Sequence, residues 1–148
     1  MRLTATLWLR IAAGIAGLYA LGHTLGHPWT APHDLMAQGV TVAMQGVHFE
    51  AAGESRSYWE FYQGFGFAVS VLLALQAVLL WQLGTLARTG RDYRTAALAH
   101  LLAFLGLAAV AYRYLFALPL WLALAIAACL AAALVQPAGA RAAGRAVQ

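Results

Sequence analysis

The chain of 148 residues has no lysine, one cysteine and only five acidic side chains. Each shortage excludes something. A lone cysteine, Cys129, rules out an internal disulfide and any metal set built on thiolates, so its expected role is that of a small core residue. With 9% charged residues against 63% hydrophobic ones, the chain cannot cover an ordinary water-soluble surface. All the cations are arginines, and although the pI is about 9.7 they form no basic stripe on a soluble face, which excludes a nucleic-acid partner.

What is present is apolar and long. The mean hydropathy of +0.71 lies in the membrane-protein range, and the apolar runs are long enough for a hydrocarbon core of about 30 Å. Four spans are expected, at about residues 7–25, 59–83, 95–114 and 116–135. The apolar stretch from Thr95 to Val135 is too long for one helix. Arg113 and Pro119 supply its break, because proline suits a helix's first turn and not its interior. The expected fold class is therefore all-α: a single transmembrane domain over residues 1–148, built as a four-helix bundle. Residues 26–58 form an outer loop and residues 137–148 a frayed tail.

Arginine sets the orientation. Arg2, Arg10, Arg88, Arg91, Arg94, Arg141 and Arg145 share one side of a four-pass layout, opposed there only by Asp92. Arg56 and Arg113 share the other side with Asp34, Glu50, Glu54 and Glu60. The positive-inside rule then places both termini in the cytoplasm and the His23–Glu60 segment outside. Reading residues 1–22 as a cleavable signal peptide would put the termini on opposite sides and spoil that pattern. Trp8, Trp29, Trp59, Trp81, Trp121, Tyr58, Tyr112 and Tyr114 fall near span ends, as an aromatic belt requires.

The outer loop is too long for a bare connection. Met36, Val40, Ala43, Met44 and Val47 recur at helical spacing, with Asp34, Gln38 and Gln45 opposite. An amphipathic surface helix is expected, opened by Thr30 or Pro32, stopped by Gly53 and carrying His48-Phe49-Glu50 at its end. Small residues at helical spacing (Ala13 and Gly17, Gly22 and Gly26, and Ala99, Ala103 and Gly106) would let helix backbones approach closely. They also offer faces to a second copy or another membrane protein. No inverted repeat relates the two halves.

Polar groups are costly in lipid, and here they crowd into one segment. Four of the five histidines and four of the five acids lie between His23 and Glu60. His23 and His27 are one turn apart on one face of the first span, with Tyr19 a turn deeper. Glu60, Gln63, Phe67, Ser70 and Ala74 form a strip on the second span, and Arg113 comes to the outer end of the third. A buried arginine needs a carboxylate, so Arg113 is expected to pair with Glu60 first, or with Glu54 or Glu50. Tyr19, His23, Glu60, Gln63, Phe67 and Arg113 are the candidate ligand-binding residues, as apolar walls with a few convergent polar groups make a ligand site. His23, His27, His48 and Glu50 are candidate ligands for a metal ion, and two of the three histidines could hold a haem. His100 stands apart, separated from that cluster by about 20 Å of helix, and His33 is expected simply to face water.

A resemblance adds to this. Gly22-His23-Thr24-Leu25-Gly26, then Met44, Val47-His48-Phe49, Gly53, Arg56-Ser57-Tyr58, Phe61-Tyr62 and Gly64-Phe65-Gly66, resemble a group of small four-pass bacterial membrane proteins of unassigned function. The likeness covers the first two spans and the outer loop. It implies that His23, Arg56 and the Phe61–Gly66 segment belong to a shared outer site, and it implies no reaction.

Three readings stay open: an outer-leaflet pocket for a small apolar or amphipathic ligand such as a quinone or lipid, a metal or haem site, and a structural or assembly subunit in the bilayer.

Overall fold

The computed structural model describes residues 4–26 and 32–136. Its helices are α1 (Ala5–Leu25), α2 (Leu35–Gly46), α3 (Tyr58–Arg88), α4 (Arg94–Tyr114) and α5 (Ala117–Leu134). Between α2 and α3 lies a two-stranded antiparallel hairpin, β1 (His48–Ala51) and β2 (Glu54–Ser57). Helices α1, α3, α4 and α5 are each long and apolar enough to cross a membrane. No more than 33% of any of these four spans is buried within the chain, so most of their apolar surface must meet lipid or another apolar body. The chain is a multi-pass membrane protein of four spans, nearly all α-helical.

The helix ends follow local chemistry. Pro119 falls in the first turn of α5, where its missing N–H would have had no intrahelical partner, and only Leu115 and Phe116 separate α4 from α5. Helix α3 runs five residues beyond the expected end at Leu83. At about 1.5 Å per residue its 31 residues exceed the hydrocarbon thickness, so its ends project beyond the hydrocarbon. Asp34 caps α2 by accepting the Ala37 N–H at 2.9 Å. Thr30, one expected helix start, lies outside the described residues, and Pro32 precedes the cap by two positions.

The surface helix is shorter than expected and ends at Gly46. Gly53 does not stop it: Ala52 and Gly53, at φ 53° and 84°, form the turn of the hairpin. Positive φ at both turn residues is the type I′ geometry that matches the twist of paired strands. His48, Phe49 and Glu50 therefore sit on a strand, in register with Ser57, Arg56 and Ser55. The buried side of α2 centres on Thr41, while Met36 (83% exposed) and Val40 (60%) lie on an uncovered apolar side.

The chain resolves into two compact units. The first takes the described residues 4–19 and 73–136. Its buried stripes are Leu9, Ala12, Ala13 and Ala16 on α1, Leu73, Leu80 and Leu83 on α3, Ala97, Phe104, Ala108 and Ala111 on α4, and Ala123, Ile126, Leu130 and Ala133 on α5. Alanine predominates because close backbone approach is how helices gain packing energy in lipid. Cys129 is buried as one more small core residue. The expected packing stripe on α4 is displaced: Ala99, Ala103 and Gly106 are exposed, and a Cβ at Gly106 would touch nothing within 4 Å.

Polar pins close the ends of this unit. The Tyr93 hydroxyl donates to the Ala133 carbonyl at 3.0 Å and the Arg94 guanidinium donates to the Gln136 carbonyl, so two acceptors near the end of α5 are satisfied from the start of α4. The Arg10 guanidinium lies 4.0 Å over the Trp81 ring and pins α1 to α3. Gly84 makes this crossing possible, since a Cβ there would meet Arg10 Cγ at 3.2 Å and the Thr6 carbonyl oxygen at 3.5 Å.

Two outcomes follow. Gly84→Val should destabilise the protein by about 1–3 kcal/mol in detergent melts, while Gly106→Ala should leave the melting temperature unchanged or slightly raised. Equal losses from both would remove the α1–α3 crossing as the cause. Ala52→Asn, creating the preferred Asn-Gly turn, should slow hydrogen exchange of the strand amides, consistent with a gain of about 1 kcal/mol.

Candidate functional site

The second unit, Ala20–Leu72, contains the end of α1, α2, the hairpin and the first half of α3. It holds His23, His48, Glu50, Arg56, Glu60, Gln63 and Phe67. Tyr19 and Arg113 belong to the first unit, and His27 lies outside the described residues.

Helix α3 starts where it does because of Ser57 and Glu60. Ser57 Oγ accepts the Glu60 N–H at 3.1 Å, and Glu60 Oε2 accepts the Ser57 N–H at 2.8 Å. This reciprocal capping box satisfies two backbone donors at the junction of strand and helix. Ser-x-x-Glu in Ser57-Tyr58-Trp59-Glu60 is its sequence signature, and it was the signal available for Ser57. Glu60 is thus held locally. The Arg113 guanidinium lies 5.3 Å from the centroid of its neighbour Tyr114, in the last turn of α4, where a cation complements the helix dipole. Each partner of the expected Arg113–Glu60 pair is engaged within its own unit.

His23 faces α3. Its Nδ1 lies 3.1 Å from Ser70 Oγ, and the Thr24 hydroxyl reaches the same oxygen at 3.0 Å and the Ala20 carbonyl at 2.8 Å. Ser70 also reaches the Gly66 carbonyl one turn back, at 3.3 Å. Its one proton goes either to Gly66 or to His23, and the ring tautomer follows that choice. The result is a polar tie between α1 and α3 whose hydroxyls are satisfied largely by their own helices' carbonyls. Ser70 stands on the strip expected from the sequence, whereas Thr24 as a partner was not anticipated.

The remaining histidines are dispersed. His48 Nδ1 donates to the Gly46 carbonyl at 3.1 Å from an exposed strand position, and His33 is exposed. Glu50 shares the His48 face of the hairpin opposite Ser55. Among the described residues, no three of histidine, cysteine, aspartate and glutamate gather to hold a metal ion. On α4, His100 Nδ1 donates to the Ala96 carbonyl at 2.8 Å, leaving a buried Nε2 with no partner among the described residues.

The concave feature of this unit lies on the first turns of α3. An open groove of about 410 Å³ is lined by Arg56, Glu60, Phe61, Gly64, Phe65 and Ala68. Of the residues expected to line a ligand site, only Glu60 is among them; Gln63 and Phe67 lie off this face of the same helix. The groove exists because Gly64 and Ala68, one turn apart, leave a trough between larger neighbours, and a Cβ on Gly64 would meet nothing within 4 Å. Aromatic rings brace it: Phe61 packs edge-on against Phe65 at 4.7 Å and Phe49 at 5.3 Å, and Phe49 lies 5.1 Å from Tyr58. Arg56 shares the hairpin face of Phe49, with its NH2 3.1 Å from Glu54 and its NH1 donating to the Ser55 carbonyl at 2.8 Å. The segment Phe61–Gly66 is regular helix throughout and makes no turn.

Ser57→Ala should cost about 1 kcal/mol by removing the cap's hydroxyl, whereas Glu60→Gln keeps an acceptor for the Ser57 N–H and should melt close to the parent. If Glu60→Gln melts far below Ser57→Ala, the Glu60 charge has a larger structural role than capping.

Comparison of the chain with known protein families, with curated proteins and with solved structures finds no match.

Proposed function

We propose that this is a four-pass protein of the bacterial cytoplasmic membrane, with both termini inside, whose outward unit Ala20–Leu72 holds a small apolar or amphipathic ligand. The groove on α3 carries this reading: apolar walls from Phe61, Phe65 and Ala68 meet one cation and one anion, Arg56 and Glu60, at its polar end. Such a mixture of walls and a few polar groups is what orients a ligand. Orientation rests on the seven arginines on the side of the termini, less Asp92, against the acidic outer segment. The likeness to small four-pass bacterial membrane proteins points to the same region, since its residues Arg56, Phe61, Gly64 and Phe65 line this groove.

A second reading has its own support. The His23–Ser70–Thr24 tie is what a purely structural protein would use to hold two helices together, and it makes His23 part of the scaffold.

Reporter fusions at Gly53 and at Gln148 should report opposite compartments, and equal signals from both would sink the orientation. For the ligand, protein purified from native membranes should carry a lipophilic molecule at one per chain that Gly64→Leu displaces. His23→Ala should lower melting while retaining that molecule. Loss of the molecule on His23→Ala at unchanged melting would move the site from the groove to His23, and a parent protein with nothing bound would favour the structural reading.

A further inference from the structure

The lining of the groove restricts its occupant. Its polar members are one guanidinium and one carboxylate, so a headgroup of a single sign would meet a like charge beside its partner, and a wholly apolar molecule would use neither. Glu60 spends Oε2 on the Ser57 N–H, and its side chain is otherwise exposed. Arg56 is half exposed, and its link to the more exposed Glu54 is of the weak surface kind, so further donors of its fork stay available to an oxyanion. From Glu60 to Ala68 the trough follows about 12 Å of helix, floored by Gly64 and Ala68 and walled by Phe61 (50% exposed) and Phe65 (61%). A charged pair at one end of an apolar trough matches a molecule with a zwitterionic head and a hydrocarbon tail.

We infer that the groove seats a zwitterionic phospholipid, with its phosphate at Arg56, its ammonium at Glu60 and an acyl chain along Gly64 and Ala68. This rests on the ligand-site reading above and names the ligand class. Arginine's planar fork suits phosphate, and the carboxylate selects headgroups that carry a cation.

The test uses the full chain in vesicles of equal phosphatidylethanolamine and phosphatidylglycerol, extracted gently and weighed by native mass spectrometry. The parent should retain phosphatidylethanolamine over phosphatidylglycerol. Arg56→Gln and Glu60→Gln should each reduce that retention about two- to fivefold, the scale of an exposed ion pair. Melting should confirm that Glu60→Gln keeps its cap. Gly64→Leu projects into open space, so it should strip bound lipid without unfolding the protein. Equal retention of the two lipids, or no effect of Glu60→Gln, overturns the headgroup assignment, and loss of lipid in Gly64→Leu would then leave the groove itself standing. If the parent retains neither lipid, or Gly64→Leu retains as much as the parent, the groove fails as a ligand site as well.

Discussion

Hydrocarbon offers no hydrogen bonds, so every backbone polar group that enters it must be satisfied within its own helix. That constraint accounts for most of this chain. It requires four uninterrupted helices, places the one proline of the α4–α5 pair in a first turn, and leaves non-helical backbone to the connections between helices. It also accounts for the hydroxyls. Thr24, Thr85, Thr89 and Ser70 all reach a carbonyl one turn back, so each side chain is satisfied without demanding a partner across the bilayer.

Against that background, a few polar contacts between helices stand out as fasteners. Arg10 on Trp81, Tyr93 to Ala133 and Arg94 to Gln136 pin the first unit, and His23 and Thr24 on Ser70 pin the second. The packing between them is mostly alanine, which gains little per residue but permits close approach. The tie at His23 has the economy of the others, with one ring and one hydroxyl meeting at the Ser70 oxygen.

The spans were legible because they are dictated by a solvent property: the lengths of apolar runs and the break at Arg113 to Pro119 need no tertiary information. The hairpin was not, because Val40 to Val47 continues a helical period up to His48 and only the two-residue spacing around Ala52-Gly53 signals strands. One position of period separates those readings in so short a segment. The candidate site was legible in its region and less so in its members. Charge and histidine content pointed to His23–Glu60, and the Ser-x-x-Glu signature also carried a local role for Glu60, the helix cap, that the reading of the sequence left out. A nearby backbone N–H costs less chain ordering to reach than a guanidinium on another helix. Gln63 and Phe67 were chosen by helical period from Glu60, but the concavity follows the missing side chain of Gly64, and what an absent side chain opens depends on neighbours that period alone does not reveal.

Two glycines show how that absence can serve opposite ends. Each costs its helix up to about 1 kcal/mol relative to alanine, so each needs an explanation in packing. At Gly84 the missing Cβ lets Arg10 and Leu9 of α1 come within contact distance, and the cost is offset by helix packing and the Arg10–Trp81 stack. At Gly64, as at Gly106, a Cβ would meet nothing within 4 Å among the described residues. The space stays open beside two half-exposed phenylalanines, where a bilayer would fill any apolar trough with hydrocarbon. Under the reading proposed above, an acyl chain fills that space, and the opposite charges of Arg56 and Glu60 at the mouth would select a zwitterionic headgroup from the molecules around it.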